Sequence, residues 1–164
     1  MSPTAQRGGG VIIMSFALAL VLSVLPMPYW THIYRPEWVT LVLIYWCIAL
    51  PQRVGVGIGW GAGLLLDVIN DAVLGQYALS LAVVAYLAVK MHRRIRAVPV
   101  WQQALTVLLL VGTQQMLVLW IKGIIGQAPW SMSYWLPALV SMLLWPPVFT
   151  VLRGLRRRYV TSSK

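Results

Sequence analysis

Acidic residues are almost missing from this chain. Glu37, Asp67 and Asp71 are the only three, against 13 Lys and Arg, and charged residues of all kinds make up 10% of the 164 residues. A soluble domain carries about 25% charged residues, so water is not the solvent for which this sequence is built. Cysteine is represented by Cys47 alone, inside an apolar run. That excludes a disulfide framework and a cysteine-rich metal site. Histidine is equally scarce. His32 and His92 fall in connections assigned below to opposite faces of a membrane, so they cannot share one metal ion or serve one nucleophile. Long polar stretches are lacking too. The pieces between apolar runs reach about ten to twelve residues, which leaves no room for a soluble catalytic domain.

What is present is hydrophobic, at 60% of the residues. Apolar runs recur along nearly the whole length, and a helix needs about 20 apolar residues to cross about 30 Å of hydrocarbon. The sequence therefore reads as all-α: one polytopic membrane domain over residues 1–164, a bundle of six transmembrane helices at 10–25, 38–50, 54–69, 73–89, 101–121 and 134–152. The first run follows Arg7 in the manner of a signal peptide, but Pro26, Met27 and Pro28 lead directly towards another apolar segment, so it is read as a retained crossing. The second run is short and implies little tilt or a locally thinned bilayer. In the sixth, Pro146 and Pro147 predict a kink.

Orientation follows from the basic residues of the short connections, because Lys and Arg resist translocation. With the N-terminus inside, Arg7, Arg53, the Lys90, Arg93, Arg94, Arg96 cluster, Arg153, Arg156, Arg157, Arg158 and Lys164 all lie on the cytoplasmic side. Only Arg35 and Lys122 lie opposite. Six crossings with both termini inside is the arrangement that keeps the two large clusters on one face. The three acids then map towards the outer side, as do the aromatic residues Tyr29, Trp30, Tyr34 and Trp38 and the group Trp130, Tyr134 and Trp135, which read as interfacial anchors. A net charge of +10 could suggest nucleic acid. Its concentration at cytoplasmic helix ends points instead to anionic lipid headgroups, with an acidic cytoplasmic partner as the alternative.

The third run carries the chemistry. Residues 55–63 read GVGIGWGAG, a glycine at every second position. On a helix, Gly55, Gly59 and Gly63 form one smooth stripe and Gly57 and Gly61 another. Small stripes are how helices approach one another in lipid, so this helix is expected at the centre of the bundle, touching at least two others. Continuing the first stripe by fours reaches Asp67 and Asp71. An ionisable group at such depth costs about 2.5–3.5 kcal/mol on insertion scales and normally faces a partner or a wet cavity. Three uses of the Asp67 carboxylate compete: hydrogen bonding to a neighbouring helix or turn, or pairing with Arg35 or Lys122; binding a partner's helix or a polar ligand; and catalysis. The last is disfavoured. An Asp67/Asp71 pair offers too few oxygen ligands for a diphosphate-bound magnesium, and no second acidic cluster exists. The glycine run also lacks the ending of a phosphate-binding loop. In the fifth run, Gln114 and Gln115 are mid-span amides, suited to bonding across helices or to forming a pocket wall.

The segment GLLLDVINDAVLGQYALSLAVVAYL, residues 63–87, resembles the signature of the rod-shape-determining MreD family: Gly, three apolar residues, Asp, a short polar stretch, then Leu-Gly. Gly63, Asp67, Leu74 and Gly75 match it, and Asn70 and Asp71 form the polar stretch between. Chain length, six short-looped spans, the basic loop after the fourth and the basic tail are also similar to that family. The resemblance implies a non-enzymatic component of the bacterial inner membrane, without a cofactor, in the cell-elongation machinery that lays down lateral peptidoglycan. It implies MreC as direct partner, with MreB, RodA and a class B penicillin-binding protein in the same assembly. It further implies a six-helix fold similar to the substrate-binding components of energy-coupling-factor transporters. That likeness keeps a second function open, a small-molecule-binding transporter subunit with Asp67, Asp71, Gln114 and the outer aromatic residues around an outward pocket.

Overall fold

The computed structural model of the chain describes residues 3–25, 37–51, 54–70, 74–126 and 135–159, with side chains described within 10–157. These residues form seven helices and no strand: α1 (Pro3–Val24), α2 (Trp38–Ala49), α3 (Val56–Ile69), α4 (Gln76–Lys90), the short α5 (His92–Arg96), α6 (Val100–Ile125) and α7 (Leu136–Tyr159). The fold is all-α. Two helices, α6 and the Leu136–Arg157 part of α7, are long and apolar enough to cross a membrane. Four shorter apolar helices accompany them: Gly10–Val24 of α1, α2, α3 and α4.

Several helices outrun their apolar segments. α1 begins at Pro3, and α7 continues past Leu152 to Tyr159, because the RGLRRR segment is made mostly of good helix formers. α7 also runs unbroken through Pro146 and Pro147. The basic connection after α4 is itself partly helical: α5 buries Ile95 while Arg93, Arg94 and Arg96 remain exposed.

The centre of the bundle is α2, which corrects the expectation that the glycine-rich third run would occupy it. Every residue from Val39 to Ala49 is buried, and α2 packs on α1, α4, α5, α6 and α7. Its sequence, WVTLVLIYWCIA, has no polar face, and a helix apolar on all sides is stable only when surrounded. By contrast α3 packs chiefly on α4 and exposes Val56, Ile58, Trp60, Leu65, Val68 and Ile69. Glycine permits close approach without compelling it. A Cβ built on Gly57 or Gly61 meets no atom within 4 Å, so the second glycine stripe contacts nothing.

Polar ties hold α2 in place on every side. At its start the Glu37 N–H donates to Ser141 Oγ of α7 at 3.0 Å. Thr40 Oγ1 donates to Gln114 Oε1 of α6 at 2.7 Å, and Trp46 Nε1 donates to Ser15 Oγ of α1 at 2.8 Å. At its end the Arg96 guanidinium donates to the Ala49 carbonyl, where the helix dipole favours a cation. Tyr45 packs edge-on against Phe149, with ring centroids 5.7 Å apart. Together with the Glu37–Ser141 bond, this sets α2 and α7 parallel. Beneath these contacts Gln103 joins three elements. Its amide nitrogen donates to the Ile95 carbonyl at 2.9 Å, and its oxygen accepts from Trp145 Nε1 at 3.4 Å.

Candidate functional site: the α3–α4 hairpin

Asp67 lies in the last turn of α3 and is wholly buried. Its carboxylate faces the start of α4. Oδ1 accepts from the Tyr77 N–H at 2.7 Å, and Oδ2 accepts from Gly75 N–H at 2.9 Å and, more loosely, from Ala78 N–H at 3.4 Å. The first N–H groups of any helix have no partner within it, and α4 has no side-chain cap of its own. Asp67 supplies that cap from the preceding helix. The geometry also answers how a buried carboxylate is tolerated, because it meets oriented N–H donors and the positive end of a helix dipole. Hydrogen bonds to a charged group are worth about 1.5–3 kcal/mol each.

Such a cap requires the two backbones to lie close, and glycine makes that possible. A Cβ on Gly63 would collide with the Tyr77 carbonyl and the Ala78 backbone. One on Gly59 would come within 2.9 Å of both the Leu81 carbonyl and Ala85 Cβ, and 3.4 Å of Leu43 Cδ2. The stripe Gly59, Gly63, Asp67 thus faces Ala78, Leu81 and Ala85, all buried on α4. Small residues on both partners let the helices touch backbone to backbone. Gly75 closes the hairpin with φ +102°, a left-handed conformation that only glycine adopts without strain.

Of the residues singled out in the sequence, the structure therefore brings Gly59, Gly63, Asp67 and Gly75 into one unit. Gly55 precedes α3 with no neighbour within 4 Å of a built Cβ, and Gly57 and Gly61 stand apart. Asn70 ends α3 exposed, and Leu74 is 70% exposed at the turn. Asp71 lies outside the described residues, as do Arg35, Arg53, Tyr29, Trp30, Tyr34, Trp130, Tyr134 and the side chain of Arg158. Gln114 and Gln115 are buried, and Gln114 is bound to Thr40. An apolar groove of about 930 Å³ lies elsewhere, between α1 and α7, and neither glutamine nor Asp67 lines it. Asp67 and Gln114, two of the residues expected around an outward pocket, are each bonded to a neighbouring helix, and Asp71 and most of the outer aromatic residues expected there lie outside the described residues.

The basic clusters converge. Arg96 after α4 and Arg153, Arg156 and Arg157 of α7 all act electrostatically on Tyr45, near the end of α2. Two basic segments far apart in sequence therefore lie towards the same end of the bundle, where Arg96 bonds to the last residue of α2. Sequence reasoning missed Ala78 and Ala85, the small residues opposite the glycines. Their spacing with Leu81 and Ala88 repeats at helical intervals and was available as a signal. It also missed Ser15, Thr40 and Ser141, whose hydroxyls carry no pattern until their partners are known.

Chemically the hairpin is a lock. Both carboxylate oxygens are directed at backbone N–H groups, so the site holds two helices in register. The comparisons with known proteins agree with the motif. A family model described as rod shape-determining protein MreD matches residues 6–155. A rod shape-determining protein MreD of Haemophilus influenzae is 34% identical over 147 residues, covering 90% of this chain and 91% of that protein. No solved structure matches the chain.

Proposed function

This chain belongs to the rod shape-determining MreD family, and from that premise we propose that it is a non-enzymatic scaffold of the bacterial cell-elongation machinery. It sits in the inner membrane, binds MreC, and helps to position lateral peptidoglycan synthesis, with MreB, RodA and a class B penicillin-binding protein in the same assembly. The observation that carries this reading is the family match over residues 6–155. The hairpin supports it from the physical side, since the family-like motif residues Gly63, Asp67 and Gly75 serve a helix-to-helix lock.

The proposed topology is six crossings with both termini in the cytoplasm, by α1, α2, α3, α4, α6 and α7. The placement of Arg96, Arg153, Arg156 and Arg157 within electrostatic reach of Tyr45, towards one end of the bundle, supports it, because positive residues collect on the cytoplasmic side. A six-helix fold similar to energy-coupling-factor substrate-binding components belongs to the same proposal. The transporter-subunit reading is the weaker one. Its polar lining, Asp67 and Gln114, is bonded within the bundle.

Co-purification with MreC from the membrane is the direct test. The two should elute together in mild detergent, and depletion of this chain should turn rods into spheres. Reproducible separation of the two in native lipid nanodiscs, with rod shape kept on depletion, would remove the scaffold reading.

A further inference from the structure

A short second run invites a locally thinned bilayer, but α2 is enclosed by its neighbours and does not set the height of the outer wall. The short helices that reach the outside of the bundle are α3, of 14 residues, and α4, of 15. At 1.5 Å per residue they rise about 21 and 22 Å, against about 30 Å for a hydrocarbon core, and any tilt lowers that height further. In sequence the hairpin is bounded by Arg53 and Lys90 at its base and by Asn70 and Asp71 at its tip. By contrast α6 has 26 residues. Its Trp101 and Trp120, both exposed, stand about 28 Å apart along the helix, close to the separation of the two aromatic belts of a full bilayer.

What covers α3 follows from the arc it exposes. Its buried residues, Gly59, Ala62, Gly63, Leu66 and Asp67, fall within about 140° of the helix circumference at about 100° per residue. Trp60, Leu65, Val68 and Ile69, all exposed, spread over the remaining arc of about 220°. A packing stripe takes up about 100°, so even a helix seated on α3 leaves about as much again to lipid. We propose, on the six-crossing reading, that the α3–α4 edge holds the bilayer locally thin: lipid chains beside α3 meet an apolar wall about 21 Å tall, while those beside α6 meet one of nearly full height. Drawing the headgroups inwards keeps Asn70 and Lys90 out of the hydrocarbon, where polar and ionisable groups are costly. The thin edge is a property of the hairpin alone and does not depend on MreC.

Spin labels measure the depth of each wall. The full chain, with Cys47→Ala as background, is reconstituted in dioleoylphosphatidylcholine with one label at Val56→Cys, Trp60→Cys or Ile69→Cys on α3, or at Leu105→Cys or Met116→Cys on α6, all exposed positions. Depth is read from relaxation by oxygen against relaxation by a water-soluble nickel complex. The labels at Val56 and Ile69 should both lie at the headgroup boundary, with the Trp60 label deeper than either, while both α6 labels lie well inside the hydrocarbon. Thermal melts check folding, and where a label lowers the melt, the neighbouring exposed position Ile58 or Val68 takes its place. Labels at Val56 and Ile69 as deep in hydrocarbon as those on α6 would overturn the proposal. So would loss of oxygen contact at all three α3 labels, which would mark a second copy over the whole face. Failure of the six-crossing reading itself would show separately, as thiols at Leu74→Cys and Arg93→Cys reacting from the same side, and would overturn both.

Discussion

Asp67 and Gly75 are joined across the α3–α4 turn, the Gly75 N–H donating to Asp67 Oδ2 at 2.9 Å. Two residues eight apart thereby close one hairpin, the first as the acceptor and the second as the only residue type at ease with the required φ of +102°. Asp67→Ala should leave the Gly75 and Tyr77 N–H groups without their acceptor. A fully buried orphan costs about 1–3 kcal/mol and these two are part-buried, so a total loss of about 1–3 kcal/mol in detergent is expected, with weakened assembly. Asp67→Glu should recover part of it, limited by the close packing. Thermal unfolding followed by circular dichroism measures the loss, and wild-type melting in the alanine variant would show the cap to be dispensable.

The glycines should separate cleanly. Gly63→Ala drives a methyl group into the Tyr77 carbonyl and the Ala78 backbone, and forces α3 away from α4. A cost of about 1–3 kcal/mol is expected for such overpacking. Gly61→Ala meets nothing within 4 Å and should be neutral or stabilising by about 0.5–1 kcal/mol, as for glycine in a helix interior. Melting temperatures of the two variants side by side provide the check, and equal effects would contradict the close approach at Gly63.

Thr40 and Gln114 join the central α2 to α6 through a 2.7 Å bond. A double-mutant cycle with Thr40→Val and Gln114→Leu should give a coupling of about 0.6 kcal/mol, and no more than about 1.7, as for hydrogen bonds between membrane helices. Unfolding free energies of the four proteins supply the number. Additivity would mean that the pair does not act as a bond.

Topology can be read by thiol labelling. Cys47 is buried, so Cys47→Ala provides a background in which a new thiol reports alone. In intact spheroplasts, Leu74→Cys, at the exposed turn before α4, should react with a membrane-impermeant maleimide. Arg93→Cys, in α5, should react only after permeabilisation. The reverse pattern would invert the proposed orientation.

Much of the hairpin was legible because its requirements are local. Gly59, Gly63 and Asp67 recur at intervals of four, which places them on one face of any helix, and an aspartate on that face must find a partner. Which partner could not be read. The N–H groups at the start of α4 are present in every helix and leave no mark in the sequence. The same glycine pattern misled about the centre of the bundle. Residues 55–63 offer two smooth faces, yet only the face with Gly59 and Gly63 is covered, because a smooth face allows contact without supplying any attraction.

By itself the sequence determined the apolar solvent, the helical class and the face on which Asp67 lies, since each depends on composition or on the 3.6-residue period, and it pointed to the family through the resemblance of residues 63–87 to a known motif. Only the tertiary structure decided that α2 is the core, that Asp67 caps α4, and that Arg96 bonds to the end of α2. Those facts depend on which surfaces meet. Residues such as Thr40 and Gln114, 74 positions apart, acquire a relationship only when the helices that carry them are packed together.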